Sequence, residues 1–219
     1  MNHDLYVRLL DLACGAFLLA GVLVLWRRDL AAIVRLFALQ GGALAALVAV
    51  LGVHEGSAEV IALAAGIAVL RVGALPWMLR RAMWAGGARR ETEPLVNVAA
   101  SLVVAALLAL LAYAVTRPVV ALEPSPATQA VPVALTVVLI GLFVLVTRRR
   151  AVSQVVGFLL LDNGITAVAF LTTAGVPFIV ELGVSLDVLL AVLVLQVLTA
   201  RIRAAFGDTD LDDLRELRD

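Results

Sequence analysis

Long apolar runs separated by short polar breaks set the pattern of this chain. A membrane-spanning helix needs roughly 20 mostly apolar residues. Seven runs reach that length, at about 5–26, 30–51, 58–79, 95–115, 129–147, 152–174 and 180–202, with ends good to ~2–4 residues. The breaks carry helix-ending residues: Arg27-Arg28-Asp29, His54-Glu55-Gly56-Ser57, Gly86-Gly87 with Pro94, Pro118 through Pro126, and Gly175 with Pro177. Pro132 falls near the start of the fifth run, where a missing amide donor matters least. The pattern predicts an all-α integral membrane protein of seven transmembrane helices.

Composition agrees. Apolar residues make up 63% of the chain and charged ones 16%, where an ordinary soluble domain carries about 25% charged residues. One cysteine, Cys14, excludes an internal disulfide, and it reads as a small packing residue. The N-terminus opens with His3 and Asp4, lacks the basic patch of a signal peptide, and reads as a retained span. The 17 basic and 17 acidic residues cancel, and every basic one is Arg.

The placement of these arginines predicts orientation, because short cytoplasmic loops are enriched in basic residues. Arg27 and Arg28 follow the first span. Arg80, Arg81, Arg89 and Arg90 follow the third, Arg148 to Arg150 the fifth, and Arg201 and Arg203 the seventh. The alternate loops offer only Arg8 and Arg117. The N-terminus is therefore expected outside and the C-terminus in the cytoplasm, in a multi-pass protein of the inner (cytoplasmic) membrane. Trp26, Trp77 and Trp84 lie near the expected cytoplasmic ends of spans one and three, as interfacial anchors do.

A gapless shift of 122 residues overlays Arg27-Arg28 on Arg149-Arg150, Gly42 on Gly164, Glu59 on Glu181 and Arg81 on Arg203. The expected organisation is a three-helix unit (1–90), a connecting fourth helix and outer loop (91–126), a second three-helix unit (127–206) and an acidic cytoplasmic tail (207–219). In this register Gln40 stands where the second unit has Asp162, and Ala65 where it has Asp187.

Ionisable groups inside apolar helices are costly and mark candidate function. Asp162 lies ~18 Å from Arg150 along its helix and Asp187 ~21 Å from Arg201, so both fall near mid-membrane. A carboxyl that can alternate between protonated and ionised forms suits a proton relay. Arg71 lies ~13 Å from Arg80, too deep to snorkel comfortably, and should pair with Asp162 or Asp187. Arg35 is either a path residue or a side chain reaching the cytoplasmic interface. Asp11 either lines an outer vestibule or pairs with an arginine. Glu181 is either a path residue or a charge at the start of its helix. His3 and His54 read as solvated loop residues. Glycines including Gly41, Gly42, Gly157 and Gly164 permit close helix contacts. In the tail, Thr209 and Asp212 resemble a capping box ahead of Leu211, Leu214 and Leu217. No nucleotide loop, metal-ligand spacing or nucleophile–base set occurs, so no catalytic site and no bound cofactor is expected in this chain.

Gln154-Val-Val-Gly-Phe-Leu-Leu-Leu-Asp-Asn-Gly164, Val180-Glu-Leu-Gly-Val-Ser-Leu-Asp-Val-Leu-Leu-Ala-Val192, the tail Asp208-x-Asp-Leu-Asp-Asp-Leu, and the deep cation before Pro76 resemble the hydrogenase-4 component E family. That family usually carries Glu at the place of Asp162 and Lys at that of Arg71. Because an arginine keeps its proton, an electrostatic role for Arg71 is implied. The last three spans are similar to subunit K of NADH–quinone oxidoreductase, and the resemblance implies that Asp162 and Asp187 match its intramembrane carboxylates. It further implies a membrane-arm subunit of a proton-translocating group 4 hydrogenase or related complex. The expected partners are antiporter-like and subunit-H-like chains, hydrogenase or other redox subunits on the cytoplasmic side, and the bilayer, but no nucleic acid. The expected proton-path set is Asp162, Asp187, Arg71, Arg35, Gln40, Asp11 and Glu181. The competing readings are a stand-alone ion-coupled transporter and a structural scaffold subunit.

Overall fold

Each polar break supplies the groups that end one helix and start the next. The computed structural model describes residues 2–86, 96–148 and 151–173. They form α1 (His3–Trp26), α2 (Leu30–Glu55), α3 (Ala58–Ala68), a π-helical segment (Val69–Ala74), α4 (Leu75–Gly86), α5 (Val98–Leu122), α6 (Pro126–Thr147) and α7 (Ala151–Thr173). Asp29 caps α2 by accepting from the Ala32 amide, Ser57 caps α3 through Val60, and Asn97 caps α5 through Ala100. Ser125 and Thr128 form a reciprocal capping box at the start of α6. Gly56 ends α2 at φ 69°, a left-handed turn that a side chain would strain.

Six stretches among the described residues are long and apolar enough to cross a membrane: His3–Trp26, Leu30–Glu55, Ala58–Arg81, Val98–Leu122, Pro126–Thr147 and Val152–Thr172. They correspond to the first six expected spans, and no strand occurs among the described residues. The seventh expected span with Glu181 and Asp187, the Gly175–Val180 turn, Arg89, Arg90, Pro94 and the acidic tail lie outside the described residues.

Two prolines sit differently from expectation. α5 continues through Pro118 to Leu122, so the expected break begins later. Only one further turn follows Pro118, and a proline is tolerated in a membrane helix where the freed carbonyl can find another partner. α6 begins at Pro126, which places Pro132 well inside the helix. The capping box moves the helix start forward.

Packing is tightest between α6 and α7. A Cβ on Gly141 would collide with the backbone of Leu161, one on Gly157 with that of Leu145, and one on Gly164 with that of Val138. The close approach foreseen at Gly157 and Gly164 is therefore made by α6. α1 pairs with α2, α1 also packs on α6, and α2 packs on α7. α5 lies against α6 and α1 and buries the small residues Ser101, Ala105, Ala112 and Thr116, with most of its surface exposed.

The buried apolar residues form two clusters stacked along the helix axes. One includes Phe17, Leu44, Leu47, Ile67, Val137 and Phe170. The other includes Val24, Ile33, Phe37, Leu75, Ile140, Leu159 and Leu160. The passage from one cluster to the other falls between Phe37 and Ala43 on α2, between Ile67 and Leu75 on the third span, and between Leu160 and Ala167 on α7.

Candidate functional site

Five buried polar residues from three helical segments occupy that seam. Gln40 on α2, Arg71 on the π-helical segment, and Asp162, Asn163 and Thr166 on α7 are all buried. Such groups are unfavourable in an apolar interior unless they satisfy one another, and here they meet. Arg71 Nη1 lies 2.7 Å from Asp162 Oδ2, with both side chains nearly inaccessible. Arg71 Nη2 donates to Thr166 Oγ1 at 3.2 Å, and Thr166 Oγ1 in turn donates to the Asp162 carbonyl at 3.0 Å. Asn163 Nδ2 donates to Gln40 Oε1 through a short hydrogen bond.

Local backbone geometry places the cation. π-Helical turns are rare and recur at functional sites. In this one the Leu75 amide reaches back to the Leu70 carbonyl, and Pro76 then adds no donor to the ladder. Val69 and Val72 face outward while Arg71 faces the seam. Gly41 makes room for it: a Cβ there would stand 2.7 Å from Arg71 Cβ and 3.0 Å from the Arg71 carbonyl oxygen. Gly41→Ala is therefore expected to push the third span outward and destabilise the fold by about 1–3 kcal/mol, read as a lower unfolding midpoint in detergent.

Of the expected site residues, Arg71, Asp162 and Gln40 come together. Arg71 selects Asp162, one of the two carboxylates it was expected to meet. Arg35 does not join them. It is exposed on α2, where its Nε donates to the Ala31 carbonyl at 3.2 Å and its Nη2 lies 3.8 Å from Asp29. Asp11 is exposed on α1, away from the seam. Asp187 and Glu181 lie outside the described residues. His54 is a correction: it belongs to the last turn of α2 and stacks on Tyr6 of α1, with ring centroids 3.8 Å apart and planes 10° apart. His3 likewise lies in the first turn of α1. Both histidines are nevertheless exposed at the chain surface. Among the described residues no group of three His, Cys, Asp or Glu is placed to hold a metal ion.

Three further residues matter that sequence reasoning passes over. Asn163 and Thr166 complete the seam cluster, and their signal is polarity within a turn of Asp162. Arg148, read only as a loop charge, is buried and donates to the carbonyls of Val24 and Leu25 at 3.2 and 3.0 Å. It thereby binds the C-terminal end of α1, where carbonyls lack helical partners. Arg148→Ala should destabilise the α1–α6 contact by about 1.5–3 kcal/mol per lost charged hydrogen bond, seen as faster proteolysis or earlier unfolding.

Among the described residues, six apolar helical stretches and a buried ion pair define a multi-pass helical membrane protein. Over 220 aligned residues, covering all of both chains, it is 58% identical to the uncharacterized protein Rv0085 of Mycobacterium tuberculosis, and the chain belongs to that protein's family. It is also similar to Hydrogenase-4 component E of Escherichia coli K12, at 33% identity over 114 residues, which are 52% of this chain and 53% of that protein. The same identity and coverage hold for Hydrogenase-4 component E of Shigella flexneri. No protein-family model matches the chain, and no solved structure does.

Proposed function

We propose that this protein is a membrane subunit of a hydrogenase-type or related redox complex, and that Asp162 carries protons within it. The observation that carries the reading is the Arg71–Asp162 pair, buried at the seam between two apolar layers. Intramembrane carboxylates in such positions mark ion paths. Similarity to Hydrogenase-4 component E over half the chain supports membership of a multi-subunit complex. Arg71 is the cationic partner of Asp162, and Asp187 is the expected next carboxylate. Antiporter-like and subunit-H-like membrane chains, with redox subunits on the cytoplasmic side, are the expected neighbours. In this reading the protein lies in the inner membrane, with its N-terminus outside and its C-terminus in the cytoplasm, as the arginine bias predicts.

The duplicated organisation is part of this reading. Hydrogen bonds from Arg148 to Leu25 and from Asn163 to Gln40 join positions 123 apart in sequence, and that from Arg148 to Val24 joins positions 124 apart. Residues beside a two-fold axis relating copies shifted by 122 would meet in this way, and that axis would run between the α1–α2 and α6–α7 pairs.

Mild-detergent purification of the chain from its own membranes tests the assignment. Redox subunits are expected to co-purify, and a nickel–iron subunit among them would identify a hydrogenase. Ion or solute transport by the purified chain alone in liposomes would overturn the subunit reading.

A further inference from the structure

The amide pair beside the ion pair has a chemistry of its own. Gln40 and Asn163 are fully buried and share one hydrogen bond. Gln40 Nε2 and Asn163 Oδ1 have no hydrogen-bond partner among the described residues. Exchanging nitrogen and oxygen in both amides changes which residue offers which group, and still leaves one donor and one acceptor unmet. Leaving both unpaired in an apolar interior is strongly unfavourable. A ligand that satisfies the pair must accept one hydrogen bond and donate another. A metal cation cannot accept from the amide N–H, and an anion without a proton cannot donate to the carbonyl. Water does both, and buried water typically makes about three hydrogen bonds to polar groups otherwise unsatisfied.

The site adjoins Asp162 through a closed ring of contacts. Gln40 precedes Gly41, whose backbone lies against Arg71. Arg71 pairs with Asp162, and Asn163 follows Asp162 and bonds Gln40. Successive helix residues diverge by about 100°, so Asp162 faces Arg71 while Asn163 faces Gln40.

We propose that the Gln40–Asn163 pair binds water inside the membrane, and that this water is the hydrogen-bonded neighbour through which Asp162 exchanges its proton. The second clause rests on the proton-path reading above. In the exchange, the Asp162 O–H bond breaks as its proton joins the water oxygen. One of the water's own protons passes to the next oxygen of a water file, so proton count and charge balance. Gln40, which cannot itself release a proton, then contributes half of the water site from the first half of the chain.

High-resolution density for the full chain in its membrane complex tests the binding. A peak within about 3 Å of both Gln40 Nε2 and Asn163 Oδ1 is expected; no peak, or a coordinated metal ion there, overturns it. Gln40→Met and Asn163→Leu, which remove the amides at similar volume, are expected to lose the peak. They should also slow turnover-coupled proton translocation by about tenfold or more, with electron transfer and complex yield retained. Unchanged translocation overturns the relay. The wild-type density needs no variant, so a substitution that misfolds leaves the proposal falsifiable. If Asp162→Asn translocates fully while the peak is present, the proton-path reading fails and water binding stands.

Discussion

Asp162→Asn is expected to abolish proton translocation while the redox reaction of the complex continues. Asparagine nearly matches aspartate in shape and still accepts a hydrogen bond from Arg71, but it cannot take up and release a proton. The substitution also leaves Arg71 as a buried cation without its anion, and breaking one side of a buried pair costs about 3–5 kcal/mol. Poor assembly would therefore imitate a broken path. Arg71→Gln combined with Asp162→Asn separates the two effects, because neither charge remains. The double variant should recover complex yield without recovering translocation. Asp162→Glu keeps a titratable group with one more methylene and should retain translocation. The measurement is proton movement per redox turnover in inverted vesicles, normalised to assembled complex. Full translocation by the double variant would reduce the pair to a structural contact.

Much of the fold is legible in the sequence because a membrane span is announced by length and hydropathy together. The first six expected spans each coincide with an apolar helical stretch of the structure. Boundaries are less legible where proline and capping compete. The Ser125–Thr128 box starts α6 early, and α5 runs through Pro118. Within the site, Arg71 announces itself as a charge too deep to reach water, so the need for a carboxylate follows from electrostatics alone. The choice of Asp162 does not follow, since it depends on which helices touch. Nor does the π-helical turn, in which Arg71 packs against Gly41. Asn163 and Thr166 are uncharged, and single polar residues in apolar helices are common enough to carry little signal. Arg148 escapes for a different reason. Its targets, Val24 and Leu25, lie at the far end of the sequence, and only packing of α1 against α6 brings them within reach.

Arg71→Met is expected to be among the most damaging single changes in the described part of the chain, lowering stability by about 3–5 kcal/mol. Removal of the guanidinium strands the Asp162 carboxylate in an apolar interior and deprives Thr166 of the hydrogen bond it receives. Arg71→Lys should fall between Met and the native residue. It keeps the charge, but a single ammonium lacks the planar fork that engages Asp162 and Thr166 together. Adding Asp162→Leu to Arg71→Met should recover most of the loss, because replacing a whole buried pair with apolar groups is often neutral or stabilising by about 1–4 kcal/mol. Unfolding in mixed micelles, run as a double-mutant cycle, gives the coupling between the two positions. The same double variant can be carried into the proton assay. If it is as stable as the native chain yet moves no protons, the ion pair is retained for the charge it can exchange, since an apolar seam would hold the helices equally well. If it is stable and still moves protons, the path runs elsewhere, and Asp162 serves only to neutralise Arg71.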